Sequence, residues 1–459
     1  MRVRCAHQAV LGILLVWQFS VCLASETPDP NDPNRYLKAV REFADNVLKY
    51  GRDTYGPKHT PLFVDGLNVN THEPVKWISP KGDVLTATET EEWILSNFAS
   101  QQTLLRTLDG LSEITGDPKY RDAAMQAIKY AFENLRTPNG LLYWGEVTAY
   151  DALGDVPCGA LNRESLKLHY LYYELMWEVD PEATKKLIEA IWSAHVKDWS
   201  NLDIDRIGSF FLKLPEPWNY EYIGGPTFFK SRISWTFSNI TTASSLIHSG
   251  ITLHVLSTEQ EPLVWSKRLA KRFVDTRHPN TGISSFSNNF HWLTHLGEDM
   301  DDHFQDPYTN VFPWDIFQAP PRNLYYPENA QAQSWLSLFL AGERLGEGGR
   351  EFTQWALEEF TAWGKFSYRK EDNCFVPLLT DGTSLEEYVW QNGPGEGSGY
   401  NVVPLYQADM SFFWAYSIAY SRTGDAFMWE MTRNIARGNG LGDIGETPTS
   451  TPALQSATT

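Results

Sequence analysis

The sequence predicts an all-α fold, an (α/α) barrel or toroid built from serial helical hairpins. Apolar residues recur at helical spacing, Gly/Pro/Asp turns separate the stretches in pairs, and the paired unit recurs along the chain. Arg2 and Arg4, the apolar run Ala9 to Phe19 and the Cys22-Leu23-Ala24 site make residues 1–24 a signal peptide. Residues 25–34 are a Pro/Asp-rich linker. Tyr36 to Tyr50 then sets Leu37, Val40, Phe43, Val47 and Leu48 on one helix face. Phe98 to Ile114 and Tyr120 to Leu135 form a pair broken at Gly116-Asp117-Pro118. Pro138-Asn139-Gly140 ends the second helix, and Leu141-Leu142-Tyr143 continues extended.

The same unit recurs three times. Ile251 to His254 leads to Trp265 to Val274, then Asn280-Thr281-Gly282-Ile283. Ala330 to Leu345 leads to Phe352 to Phe366, then Asn373-Cys374-Phe375. Phe412 to Thr423 leads to Phe427 to Ala436, then Gly438-Asn439-Gly440-Leu441. Each pair must bury its apolar stripe against its neighbours, which favours a toroid, with the Gly turns lining the mouth where ligands bind. No linker interrupts residues 35–445, so one domain is expected, followed by a Thr/Ser/Pro tail at 446–459 expected to be disordered.

Composition narrows the partners. The formal net charge of −19 argues against nucleic acid, which needs a basic footprint. A polyuronate is also repelled overall, but with a screening length of about 8 Å a local basic cleft can still bind it. Past the leader no apolar run is long enough to span a bilayer, so an exported protein, secreted or periplasmic, is expected. The leader takes Cys5 and Cys22 with it, and the remaining Cys158 and Cys374 could form one disulfide, a pairing that spacing does not settle. Asn239-Ile240-Thr241 is a glycosylation sequon for a eukaryotic host. The chain lacks a Walker loop, a dinucleotide fingerprint, a Gly-x-Ser-x-Gly elbow and a His-Glu-x-x-His helix.

Ordered blocks carry a resemblance. They are Thr60-Pro61-Leu62-Phe63-Val64-Asp65-Gly66, Leu95-Ser96-Asn97-Phe98-Ala99-Ser100-Gln101-Gln102, Tyr143-Trp144-Gly145-Glu146-Val147, Arg163-Glu164-Ser165-Leu166-Lys167, Ala194-His195-Val196-Lys197-Asp198-Trp199, Asp205-Arg206-Ile207-Gly208, Leu379-Thr380-Asp381-Gly382-Thr383 and Asn439-Gly440-Leu441-Gly442-Asp443. Together they resemble polysaccharide lyase family 2, the periplasmic pectate lyases. The match is weakest over 209–327. The resemblance implies an (α/α)7 barrel that cleaves polygalacturonate by β-elimination, with an arginine as base and a metal held by two histidines and a glutamate. The arginine falls on Arg206. The histidine positions hold Val147 and Ile207, which cannot ligate metal, and the glutamate falls at Glu164 or Ser165.

The chemistry explains why these replacements matter. Removing the C5 proton of a uronate requires neutralising the adjacent carboxylate and placing a base at C5. Arginine is normally protonated. A divalent cation about 5 Å away, at an effective dielectric near 20, would favour its neutral form by roughly 7 kcal/mol. Glu146 with Glu164 is a candidate replacement site for a hard cation, and Asp299, Asp301, Asp302 and His303 form a second acidic cluster. Lys230, Arg232, Arg277 and Arg322 are candidate partners for uronate carboxylates, and Trp235 and Trp292 for sugar faces. The expected function is cleavage of pectate or a related polyuronate. A glycan-binding pseudoenzyme and a glycoside hydrolase with a carboxylate pair are the alternatives.

Overall fold

The structure, a computed structural model, describes residues 34–78, 92–145, 148–166, 168–229, 238–288, 327–376 and 405–447, with Asp32 and short pieces between 378 and 402. Eleven α-helices lie among the described residues: α1 (Arg35–Tyr50), α2 (Gln102–Thr115), α3 (Lys119–Asn134), α4 (Tyr173–Val179), α5 (Pro181–His195), α6 (Ile240–Ser257), α7 (Glu261–Val274), α8 (Pro327–Leu345), α9 (Arg350–Phe366), α10 (Met410–Thr423) and α11 (Ala426–Gly438).

Sequence signals explain the ends. Gly116 closes α2 in the left-handed conformation at φ 72°, where a side chain would be strained. Asp180 caps α5 by accepting the Ala183 N–H, with Pro181 at the first helical position. Asp409 and Asp425 cap α10 and α11 in the same manner. Asn239 caps α6, accepting from Thr242 N and the Thr241 hydroxyl. That side chain is 1% exposed, so the sequon asparagine is a buried cap out of reach of glycosyl transfer.

Packing is that of an α/α toroid. Helices α4, α6, α8 and α10 follow one another as an inner layer, and α5, α7, α9 and α11 each pack outside an inner partner. Helix α6 shows the inner role most clearly, with Thr241, Thr242, Ser244, Ser245 and Ser249 as buried as Leu246 and Ile247. One hydrophobic cluster runs from Ala44 to Ile435 and includes the fully buried Trp192, Trp265, Trp335 and Trp363. Each such side chain contributes about 3 kcal/mol relative to exposure.

Short strands decorate the helix ends: β1 (Trp77–Ile78), β2 (Glu92–Trp93), β3 (Leu95–Ser96), β4 (Thr148–Asp151), β5 (Val156–Gly159), β6 (Arg163–Ser165), β7 (Val196–Asp198), β8 (Asp203–Ile204) and β9 (Ile207–Ser209). Later come β10 (Tyr368–Arg369), β11 (Cys374–Phe375), β12 (Val389–Gln391), β13 (Tyr400–Val402) and β14 (Tyr406–Gln407). Strands β3, β4 and β5 form an antiparallel sheet, and β6 pairs with β9.

The structure departs from the sequence reading in three places. Helix α1 buries only Ala44 fully and leaves Val40 and Phe43 exposed, because it borders just α2 and α3. Helices α4 and α5 were not anticipated. Cys158 on β5 and Cys374 on β11 are both buried free thiols, not a disulfide.

Candidate functional site

Three sequence blocks meet around the antiparallel pair β6–β9. Its register sets Arg163 opposite Ser209, Glu164 opposite Gly208 and Ser165 opposite Ile207. Paired residues share a face and successive residues alternate. Ser165 and Ile207 therefore lie on one face, and Glu164 lies on the other, with Gly208.

The Glu164 face is packed against the end of α5. His195 is fully buried, and its Nε2 lies 2.9 Å from Glu164 Oε1. Its Nδ1 lies 2.7 Å from the Asp205 carbonyl, which can only accept, so Nδ1 donates. Both ring nitrogens are thereby engaged, one by backbone and one by the Glu164 carboxyl group. Gly208 makes this approach feasible, since a Cβ there would stand 2.9 Å from His195 Nε2 and 3.3 Å from Ala194 Cβ.

Arg206 sits where the two strands meet. Its carbonyl accepts Leu166 N–H at 2.7 Å, the preceding Asp205 carbonyl is bound to His195, and Ile207 N–H donates to Asp205 Oδ1 at 3.0 Å. Lys197 Nζ donates to the Ile207 carbonyl at 2.9 Å and to the Ala194 carbonyl at 2.6 Å. Burial pulls the Lys197 ammonium below its ordinary pKa, and the charges of Asp205, Asp203 and Glu164 oppose that shift. The half-buried Arg206 is thus carried on backbone fixed at 205, 206 and 207.

Gly145 abuts the Ser165 backbone at φ 126°; a Cβ there would lie 3.5 Å from Ser165 N and O. Asn97 Nδ2 holds the Gly145 carbonyl at 2.6 Å. Asn97 N–H in turn donates to Asp65 Oδ1 at 2.8 Å, as does Gln101 Nε2 at 2.8 Å. Asp65 is exposed, yet packed protein raises its carboxyl pKa through desolvation, against the lowering effect of those hydrogen bonds.

A model of the periplasmic pectate lyase family matches residues 60–459. The chain belongs to that family. A pectate disaccharide-lyase of Dickeya dadantii (strain 3937) is 30% identical over 258 residues, 54% of this chain and 46% of the relative, so the match spans about half of that protein's length. Among solved structures, cellobiose 2-epimerase from Bacillus thermoamylovorans B4167 superposes with a TM-score of 0.50 at 10% identity, covering 88% of this chain and 87% of that one. A D-mannose isomerase gives 0.48 at 13% identity, covering 88% and 86%. The epimerase likeness speaks to the α/α toroid, not to chemistry.

The described residues of this pectate lyase family member do not fit a metal held by two histidines and a glutamate. Ile207 offers no donor atom, Ser165 opposite it offers a hydroxyl, and the Glu164 carboxylate is engaged by His195 on the other face. Among the described residues no three His, Cys, Asp or Glu side chains converge as metal ligands. Glu146 and Val147 lie outside the described residues, as do Lys230, Arg232, Trp235, Trp292, Arg322 and the cluster Asp299, Asp301, Asp302 and His303.

Arg277 is described, and its guanidinium is committed elsewhere. It pairs with Glu358 at 2.6 Å and Glu359 at 3.2 Å, donates to the Trp355 carbonyl, and lies 5.3 Å from the Trp335 ring centroid. Glu359 is wholly buried, so Arg277 serves as its counter-charge. Sequence reasoning assigned no role to His195, Lys197 or Asp65, although all three lie within the quoted blocks.

Proposed function

We propose that this protein is a polysaccharide lyase acting on pectate or a related polyuronate, with Arg206 as the base. The observation that carries the reading is the fixed backbone at Arg206 where the Tyr143, Glu164 and Asp205 blocks converge. In β-elimination Arg206, acting in its neutral form, takes the C5 proton, the C5–H electrons form the C4–C5 double bond, the C4–O bond breaks, and the proton gained by Arg206 passes to the leaving oxygen. A fixed base removes the cost of orienting it at each turnover. Lys230, Arg232 and Trp235 are proposed as substrate contacts. Asp65 is proposed to support this site through Asn97, which holds the Gly145 carbonyl. The leader at residues 1–24 supports export as the setting, and no described helix is long and apolar enough to cross a membrane.

A second reading, glycan binding without cleavage, draws on Ile207 and Ser165 standing where ligands are expected. Incubation with polygalacturonate, with chelator or with added divalent metals, separates the two. Ultraviolet absorbance from an unsaturated product, reduced at least about 100-fold in Arg206→Ala, is expected. Binding with no product would overturn the lyase reading in favour of the second. New reducing ends without the chromophore would point to hydrolysis.

A further inference from the structure

A cavity of about 470 Å³ lies along the outer face of α11, between it and α10. It is remote in sequence from the β6–β9 pair and shares no element with it. Arg433 and Arg437, one helical turn apart, line it with Lys370. In a chain of net charge −19, three cations gather around this one cavity, together with Glu430 and Glu446.

The cations make few close ion pairs, although Asp443 lies within electrostatic reach of Arg433 and Arg437. Among the described residues, neither Lys370 nor Arg437 has an ion-pair partner within 4.0 Å, although Glu430 and Glu446 line the same cavity. Arg433 makes a single long pair, 3.5 Å from Asp443, and its Nε is buried without a hydrogen-bond partner. The helix C-terminus accounts for a cation at Arg437, but not for Lys370 or Arg433.

The remaining wall is suited to a sugar. Tyr420 and Trp429 form an aromatic pair with centroids 4.8 Å apart, and Asn434 adds an amide. An aromatic surface beside a few convergent polar groups binds the apolar face and the rim of a pyranose, and guanidinium groups select its carboxylate form.

We propose that this cavity is a second glycan-binding site for an acidic oligosaccharide, holding the polymer away from the cleavage site. The ligand class rests on the proposed function. The test is calorimetric titration of galacturonate oligomers, with a neutral oligosaccharide of equal length as control. It compares Arg206→Ala, which avoids turnover, with the same variant carrying Lys370→Gln and Arg437→Gln. Two binding events are expected in the first, and one should weaken about three- to tenfold per cation removed. Lys370→Gln/Arg437→Gln alone should cleave a short oligomer at the unmodified rate. Binding that is identical with and without these two cations would overturn the proposal whether or not cleavage occurs. Cation-dependent binding in a chain that yields no unsaturated product would keep the second site and remove the lyase reading.

Discussion

The buried contact between Glu164 and His195 predicts different outcomes for two substitutions at one position. Glu164→Ala leaves His195 Nε2 buried without its partner, and breaking such a pair costs about 3–5 kcal/mol. Glu164→Gln should cost only about 1 kcal/mol, because its amide N–H can donate to the Nε2 lone pair of a neutral imidazole. Nδ1 keeps its bond to the Asp205 carbonyl in both variants. With a urea slope of about 3 kcal/mol/M, the two variants should differ by about 1 M in unfolding midpoint. The assay is equilibrium urea unfolding followed by near-ultraviolet circular dichroism, which reports the buried tryptophans. A His195→Ala/Glu164→Ala double mutant should lose less than the sum of the single losses. Coincident midpoints for the Gln and Ala variants would refute a hydrogen-bonding role for the side chain at position 164.

Further outcomes follow from neighbouring geometry. Gly208→Ala would place a Cβ 2.9 Å from His195 Nε2, costing about 1–3 kcal/mol in urea unfolding and displacing Arg206, so product formation should fall with stability. Arg277→Ala should destabilise by about 3–5 kcal/mol by stranding Glu359. Burial already raises the Glu359 pKa, so its stabilising share is present in acid and lost as pH rises; acid should therefore partly rescue that variant in a pH series of melts. His248 is held down to about 4 by burial, opposed chiefly by its bond to the Leu171 carbonyl. Between pH 6.5 and 4 the unfolded chain gains a proton that the folded chain lacks, so about 3 kcal/mol should be lost as pH falls, and His248→Gln should flatten that slope.

Helices with broad apolar stripes and clear breakers were legible in the sequence to within a few residues. Tyr120 to Leu135 was expected and Lys119–Asn134 is found; Phe352 to Phe366 was expected and Arg350–Phe366 is found. Helices α4 and α5 escaped because the first is a short segment of about two turns, although Asp180-Pro181 carries a cap signal for the second. The start of α6 escaped because Thr241, Thr242, Ser244 and Ser245 read as polar, while their hydroxyls bond within the buried interior. In the candidate site, the motif blocks located the segment, but spacing alone left Glu164 and Ser165 undecided. The pairing of β6 with β9 separates them, because a shift of one residue exchanges the faces of a strand.

That alternation has a consequence for substitution. Glu164 and the bare Gly208, which anchor the paired strands against His195, occupy one face, and Ser165 and Ile207 occupy the other. A change of donor at Ser165 or Ile207 therefore alters the chemistry of one face without touching the contact that holds the strands from the other.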